Sequence, residues 1–225
     1  MEYERLIQNF QSLPRAGKSV SANVRRNSNR TMVIKKYRNA KNAAQEFKIH
    51  SRVYSLPGAS RYVVKPLYQR NSYFIQNYQP NMLDTLDAFI EKIKHTKSIT
   101  YNRGLSIFNN ILKQIRNIVK FLNKHNVRHN DLHLGNFIVY KKDGKLLVKV
   151  IDFGKSTFNT NKTKLSQVNI EGLARFGEYI DEGWLINNKP LTNAMVPKYQ
   201  FNAMVQNALS AKPRNRPPLR EIQVQ

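Results

Sequence analysis

Polar and apolar positions change rhythm along the chain. "SANVRR" (21–26) and "TMVIKKY" (31–37) alternate or run apolar around the turn-forming "NSNR", which predicts two short strands. In "NAAQEFKIHSRVYSL" (42–56), Ala44, Phe47, Val53 and Leu56 fall near helical spacing, and Pro57-Gly58 ends the run. "RYVVKPLYQ" and "SYFIQNY" follow as two more β-rich runs joined by "RNS". Residues 1–79 are therefore expected to form a small antiparallel sheet with one inserted helix.

After Pro80 the pattern becomes helical. "NMLDTLDAFIEKI" (81–93) predicts an amphipathic helix capped by Asn81, with acids in its first turns. "LSIFNNILKQIRNIVKFLNKH" (105–125) predicts the longest helix, with Ile107, Ile111, Ile115, Val119 and Leu122 three or four residues apart. "FIVYKKDGKLLVKVID" (137–152) reads as a hairpin turning at "DG". The remainder reads as helical, with prolines clustered at 213–218. A β-rich part, a helical part and a hairpin between them give an α+β chain, and ligand sites commonly lie between two such lobes.

Composition narrows the class. At 225 residues, 40% of them apolar and with eleven Phe and eleven Tyr, the chain can bury a sizeable core. It has no Cys, which excludes disulfides and Cys-ligated zinc. "MEYERLIQNFQSLPRAG" lacks the pattern of a signal peptide, and no apolar run reaches the ~18 residues of a membrane helix. The expectation is a soluble intracellular protein, of cytoplasm or nucleus, without a membrane partner. The formal charge of +24 would attract nucleic acid, acidic proteins or nucleotides. Its lysines and arginines are dispersed, with no aromatic interleaving, so nucleic-acid binding is left open but not favoured.

Two motifs carry chemistry. "HNDLHLGN" (129–136) contains H-x-D-x-x-x-x-N, and "DFG" (152–154) closes the hairpin. In that order, with a long amphipathic helix before them, they resemble the catalytic and metal-binding loops of protein kinases. The resemblance implies a bilobal protein kinase-like fold, with a small β-rich lobe at 1–79 and a larger, mainly helical lobe at 80–225. It implies Asp131 as the catalytic base, His129 as a brace of its loop, and Asn136 and Asp152 as magnesium ligands. "MVIK" resembles the strand whose lysine, here Lys35, holds the α- and β-phosphates of ATP. Glu46, eleven residues on and the only acid between Lys35 and Pro80, is the natural partner of that lysine. "GKSVSANV" fits a degraded glycine-rich loop as Gly17, Ser19, Ala22 and Val24. "SYFIQNYQP" resembles the strand entering the adenine hinge, with Gln76 as gatekeeper and Asn77 and Tyr78 beside the nucleotide.

Further echoes extend to about residue 223. "SQVNIEGLARFGEYI" resembles the D-x-W-S-L-G helix with Asn169 in place of Asp, and "ALSAKPRNRPPLREI" resembles the family's closing segment with Arg216 at its structural arginine. Three departures matter. Asn130 replaces the arginine that meets a phosphorylated activation loop, the segment from Gly154 to Asn169 is short and lacks A-P-E, and His133 stands where Ser/Thr kinases carry a lysine. The resemblance implies a minimal, atypical kinase that passes the γ-phosphate of ATP to Ser or Thr of a protein, with the basic surface suiting an acidic one. Kinases of large DNA viruses and bacterial effectors are similar in their compactness. Two alternatives stay open: a small-molecule phosphotransferase of the aminoglycoside or choline kinase type, and a pseudokinase that binds partners through its basic surface.

Overall fold

The computed structural model describes residues 2–16, 22–96 and 101–158, together with two paired two-residue strands, Leu185–Ile186 and Lys189–Pro190. Gly17, Ser19, Asn169, Arg216 and the proline cluster at 213–218 lie outside the described residues.

The first lobe is an antiparallel sheet in the order β1-β2-β4-β3, from β1 (Ala22–Arg26), β2 (Met32–Tyr37), β3 (Pro66–Arg70) and β4 (Tyr73–Asn77). Alternation along β2 divides its side chains between the two faces. Met32 and Ile34 pack with Ile75, Phe10 and Leu13 on the outer face, whereas Tyr37 packs with Phe74 and Ala43 on the inner one. The outer face is covered by a helix the polar pattern did not predict, α1 (Glu2–Gln8), and the turn at Phe10–Ser12 that follows. Tyr3 stacks on Tyr68 at 5.1 Å and the Glu4 carboxylate pairs with Arg70 at 2.7 Å. At seven residues, this helix depends on tertiary contacts.

On the inner face lies α2 (Ala40–Tyr54), whose start is set by Asn39 accepting the Asn42 N–H at 2.9 Å. Its buried stripe is Ala43, Glu46, Ile49, His50 and Val53, not one through Ala44, which is exposed. This small rotation turns Glu46 and His50 inward. The β run expected from residue 61 begins only at Pro66. Residues 59–61 instead form a single turn, and Val63 bridges in parallel to Val150, with the Val150 N–H donating to the Tyr62 carbonyl at 2.8 Å. The connector thus ties the first lobe to the central hairpin.

In the second lobe, the helix predicted over 81–93 is split. Met82–Thr85 is a strand, β5, and α3 (Leu86–His95) starts only after it, with Thr85 as its cap residue. Asn81 is not the cap: it takes φ +55° in the preceding turn. The local helix signals lose to pairing with the exposed edge of β7 (Phe137–Lys142), where Thr85 faces Ile138. β7 pairs with β8 (Lys145–Val150) around Asp143-Gly144, both at positive φ, which is the primed two-residue turn that "DG" predicts. α4 (Tyr101–Lys124) buries Ile111, Ile115, Ile118, Val119 and Leu122 against Phe137, Val139, Val148 and Val150. Ile49 and Val53 of α2 join that same core, so the two lobes share apolar contacts. The architecture is the bilobal α+β arrangement expected. No helix among the described residues is long and apolar enough to cross a membrane.

Candidate active site

The site forms where the inner face of the first sheet meets the ends of β7 and β8. Lys35, on β2, points inward and is 5% exposed, while its neighbour Lys36 lies on the outer face near the rings of Tyr73 and Phe10. The Lys35 ammonium is 2.8 Å from Glu46 Oε1 and 3.6 Å from Asp152 Oδ2. One buried cation thus serves two carboxylates. Burial opposes the charge on Lys35, but the two carboxylates outweigh it and raise its pKa. Burial likewise opposes ionisation of Asp152, yet Lys35 and the Gly154 N–H hold its pKa below the usual value. Glu46 has no exposed surface, and burial raises its pKa against the pull of Lys35. Of the two acids, Asp152 holds its charge the more firmly.

Two short loops carry the remaining groups. β6 (Val127–Arg128) leads to His129, whose buried ring lies 5.0 Å from Phe153 and whose Nε2 is 3.0 Å from the Ile151 carbonyl. Burial lowers the His129 pKa to about 4, so the ring is neutral near pH 7. Asn130 follows at φ +62°, a left-handed conformation that Asn tolerates better than most residues. The Asn136 amide donates to the Asp131 carbonyl at 2.9 Å, and the Ile151 N–H donates to the Asn136 carbonyl at 2.9 Å. These two bonds stitch the loop of Asp131 to the strand that delivers Asp152. The first bond also identifies which end of the Asn136 amide is nitrogen, leaving its oxygen as the end that could ligate a cation. Asp152 sits at φ +65°, a strained setting for a non-glycine residue that costs roughly 1–3 kcal/mol and is typical of functional turns.

His133 Nδ1 accepts the Gly135 N–H at 3.2 Å and caps the turn Leu134–Asn136. A Cβ on Gly135 would lie 3.0 Å from that ring, so a larger residue would need the ring to give by a few tenths of an ångström. Val24 pairs with Lys35 and Ala22 with Tyr37 across the β1–β2 ladder, so both residues of the degraded loop within the described range lie beside the lysine strand. Gln76 is buried between β2 and β3, and its amide oxygen has no hydrogen-bond partner among the described residues. The N–H groups of Asn77 and Tyr78 donate to the carbonyls of Lys65 and Thr31, each at 2.8 Å. A nucleotide would therefore meet these two residues through carbonyls or side chains, not through their N–H groups.

Two residues here were not singled out in the sequence. His50, from α2, packs tilted against Phe153 at 4.8 Å and edge-on to Phe74 at 5.5 Å, with Nε2 donating to the Val64 carbonyl at 2.7 Å. Burial lowers its pKa to about 3. Lys155, directly after the D-F-G, lies 3.1 Å from Asp131 Oδ2. A basic residue at that place, with no lysine at 133, was the signal in the sequence. Among the described residues, no cluster of three His, Cys, Asp or Glu side chains could hold a metal by itself. The oxygen donors of Asn136 and Asp152 nevertheless suit magnesium completed by phosphate and water oxygens.

The comparisons agree with this geometry. The model of the protein kinase domain matches residues 16–175. Calcium-dependent protein kinase 3 of Plasmodium yoelii yoelii is 38% identical over 48 residues, covering 21% of this chain and 9% of that protein. The chain therefore spans only a small part of that relative's length. With the buried lysine and glutamate, the H-x-D loop and the D-F-G turn folded onto one another inside the matched region, the chain belongs to the protein kinase domain family.

Proposed function

We propose that this chain transfers the γ-phosphoryl group of ATP to Ser or Thr hydroxyls of protein substrates. The contact that supports this most is the three-way cluster of Lys35, Glu46 and Asp152, which joins the two lobes through charge. In this reading the lobes divide at about residue 80. Lys35 holds the α- and β-phosphates, and Glu46 keeps its ammonium in place. Asn136 and Asp152 hold magnesium through oxygen, which neutralises charge on the phosphates when bound. Ala22 and Val24, with Gly17 and Ser19 before them, roof the phosphates, and Asn77 and Tyr78 border the adenine. His129 acts on no substrate: its buried ring braces the loop against Phe153.

Asp131, with a quarter of its side chain exposed, accepts the hydroxyl proton. The acceptor oxygen bonds to the γ-phosphorus as the bond to the β–γ bridging oxygen breaks, and ADP leaves with that electron pair. Asn130 in the arginine position makes the loop independent of activation by phosphorylation. Instead, its amide donates to the Lys155 carbonyl at 2.9 Å.

The test is transfer from γ-labelled ATP with magnesium to mixed acidic and basic proteins, followed by analysis of the labelled amino acids. Asp131→Asn should lower turnover by ~10²–10⁴ with ATP binding retained. Equal turnover would overturn the role of Asp131, and label confined to a small molecule would overturn the protein acceptor.

A further inference from the structure

Lys155 has no part in the roles assigned so far, yet it forms an ion pair with the proposed base. We infer that Lys155 supplies the cation that faces the transferred phosphoryl group beside Asp131. This rests on the phosphotransfer reading and names a further catalytic residue within it.

The need for a cation is chemical. Asp131 must sit close to a phosphoryl group that is itself anionic, and two negative groups at that range repel. Charge also shifts across the equatorial and bridging oxygens as the bond breaks, so a positive group fixed nearby is worth most in the transition state. Lys35 is committed elsewhere, to Glu46 at 2.8 Å and Asp152 at 3.6 Å. His133, two residues after Asp131, is engaged within its own loop, where its Nδ1 accepts the Gly135 N–H at 3.2 Å. Lys155 fills the gap with its ammonium 3.1 Å from Asp131 Oδ2.

The backbone beneath Lys155 is held on both sides. The Asn130 amide donates to the Lys155 carbonyl at 2.9 Å and approaches Thr157 Oγ1 at 3.3 Å. Ser156, buried, donates from Oγ to the His129 carbonyl at 3.0 Å, and its N–H donates to the Phe153 carbonyl at 3.0 Å. Thr157–Phe158 then forms a strand, β9, that pairs with β6, Arg128 facing Thr157 and Val127 facing Phe158. Arg52 of α2 lies over the Phe158 ring at 3.9 Å and steadies the same strand from the first lobe. A rigid base thus carries a long, mostly exposed side chain, 69% accessible, across the mouth of the site. An exposed ion pair does little for folding, so the contact is better explained by what the ammonium does when phosphate arrives. With three donors on a flexible stem, it can keep one bond to Asp131 and turn another to a phosphoryl oxygen.

The residue before Asp131 gains a purpose in the same scheme. Asn130 clamps the carbonyl of the residue that delivers the cation, so the segment is positioned by the fold and not by a modification.

The experiment measures kcat, and MgADP affinity by calorimetry, for the full chain and for Lys155→Met, Lys155→Arg and Asp131→Asn. Lys155→Met should lower kcat by roughly 10²–10³. Its MgADP affinity should be unchanged, because ADP lacks the group that Lys155 touches. Lys155→Arg, which keeps the charge, should recover at least about a tenth of the lost activity. A Lys155→Met variant with full kcat, beside an inactive Asp131→Asn, would overturn this inference and leave the phosphotransfer reading standing. Equal losses in Lys155→Met and Lys155→Arg would also overturn it, since charge would not be what matters. Absence of both transfer and nucleotide binding in the unmodified chain would remove the reading and this inference with it.

Discussion

Acid should destabilise this protein well before its carboxylates titrate, because two buried histidines must stay neutral. His50 is fully buried and its Nε2 donates to the Val64 carbonyl, so Nδ1 is the unprotonated nitrogen, and it has no partner among the described residues. Adding a proton there would bury an unpaired charge against Phe74 and Phe153. Burial is the main cause of its low pKa, about 3, with Lys35 and His129 pushing the same way and Asp152 opposing. His129 is held down to about 4, again chiefly by burial.

Both values lie below the 6.5 of an unperturbed histidine, so the unfolded chain binds more protons as the pH falls below that point. The stabilisation is complete above about pH 6.5 and is lost towards pH 4 and below. At pH 5 each histidine costs about 2 kcal/mol, or about 4 kcal/mol for the pair, out of a typical total of 5–15 kcal/mol. Glu46, whose pKa burial raises, works in the opposite direction as the pH falls, so the variant comparison is the clean one. The assay is urea unfolding followed by far-ultraviolet circular dichroism at pH 7.5, 6.5, 5.5 and 5.0, for the natural chain and His50→Leu. The variant should start about 1–3 kcal/mol lower, since the Val64 carbonyl loses its donor, but lose about 2 kcal/mol less on acidification. Parallel pH dependences for the two proteins would refute the argument.

Other perturbations follow from the same contacts. Glu46→Ala leaves Lys35 buried with only the more distant Asp152, and should cost about 3–5 kcal/mol in urea unfolding. Phe10→Ala opens the outer face of the first sheet and should cost about 3–5 kcal/mol, although Phe10 is far in sequence from every strand it covers. Asn130→Gly keeps the left-handed backbone but removes the clamp on Lys155, and should lower kcat by about 3–10-fold with thermal stability nearly unchanged.

The sequence made the central hairpin legible because every signal was local. Alternation, an Asp-Gly turn and its two positive φ angles lie within fourteen residues, Phe137–Val150. The long helix was legible for the same reason, through its isoleucine spacing. The buried Lys35–Glu46 contact could be anticipated from residue type and order, and the structure brings the pair together. What escaped depended on distant partners. Asn81 and Asp84, just before and within β5, read as a helix start, and only the edge of β7, more than fifty residues away, makes this stretch a strand. α1 is too short to be stable alone and is visible only through Tyr68, Arg70 and the apolar outer face. Of the α2 stripe, Val53 was read correctly but Ala44 was not, and Glu46 and His50 escaped because they are polar residues on its buried face. Lys155 meets Asp131 across twenty-four residues of chain, through the β6–β9 pairing that no local pattern announces.

The most direct measurement is a crystal structure of the full chain with magnesium and a non-hydrolysable ATP analogue. The account predicts the β-phosphate against Lys35, the metal between Asn136 and Asp152, and the terminal phosphate between Asp131 and Lys155. A nucleotide bound elsewhere, or terminal phosphate oxygens out of reach of Lys155, would contradict it.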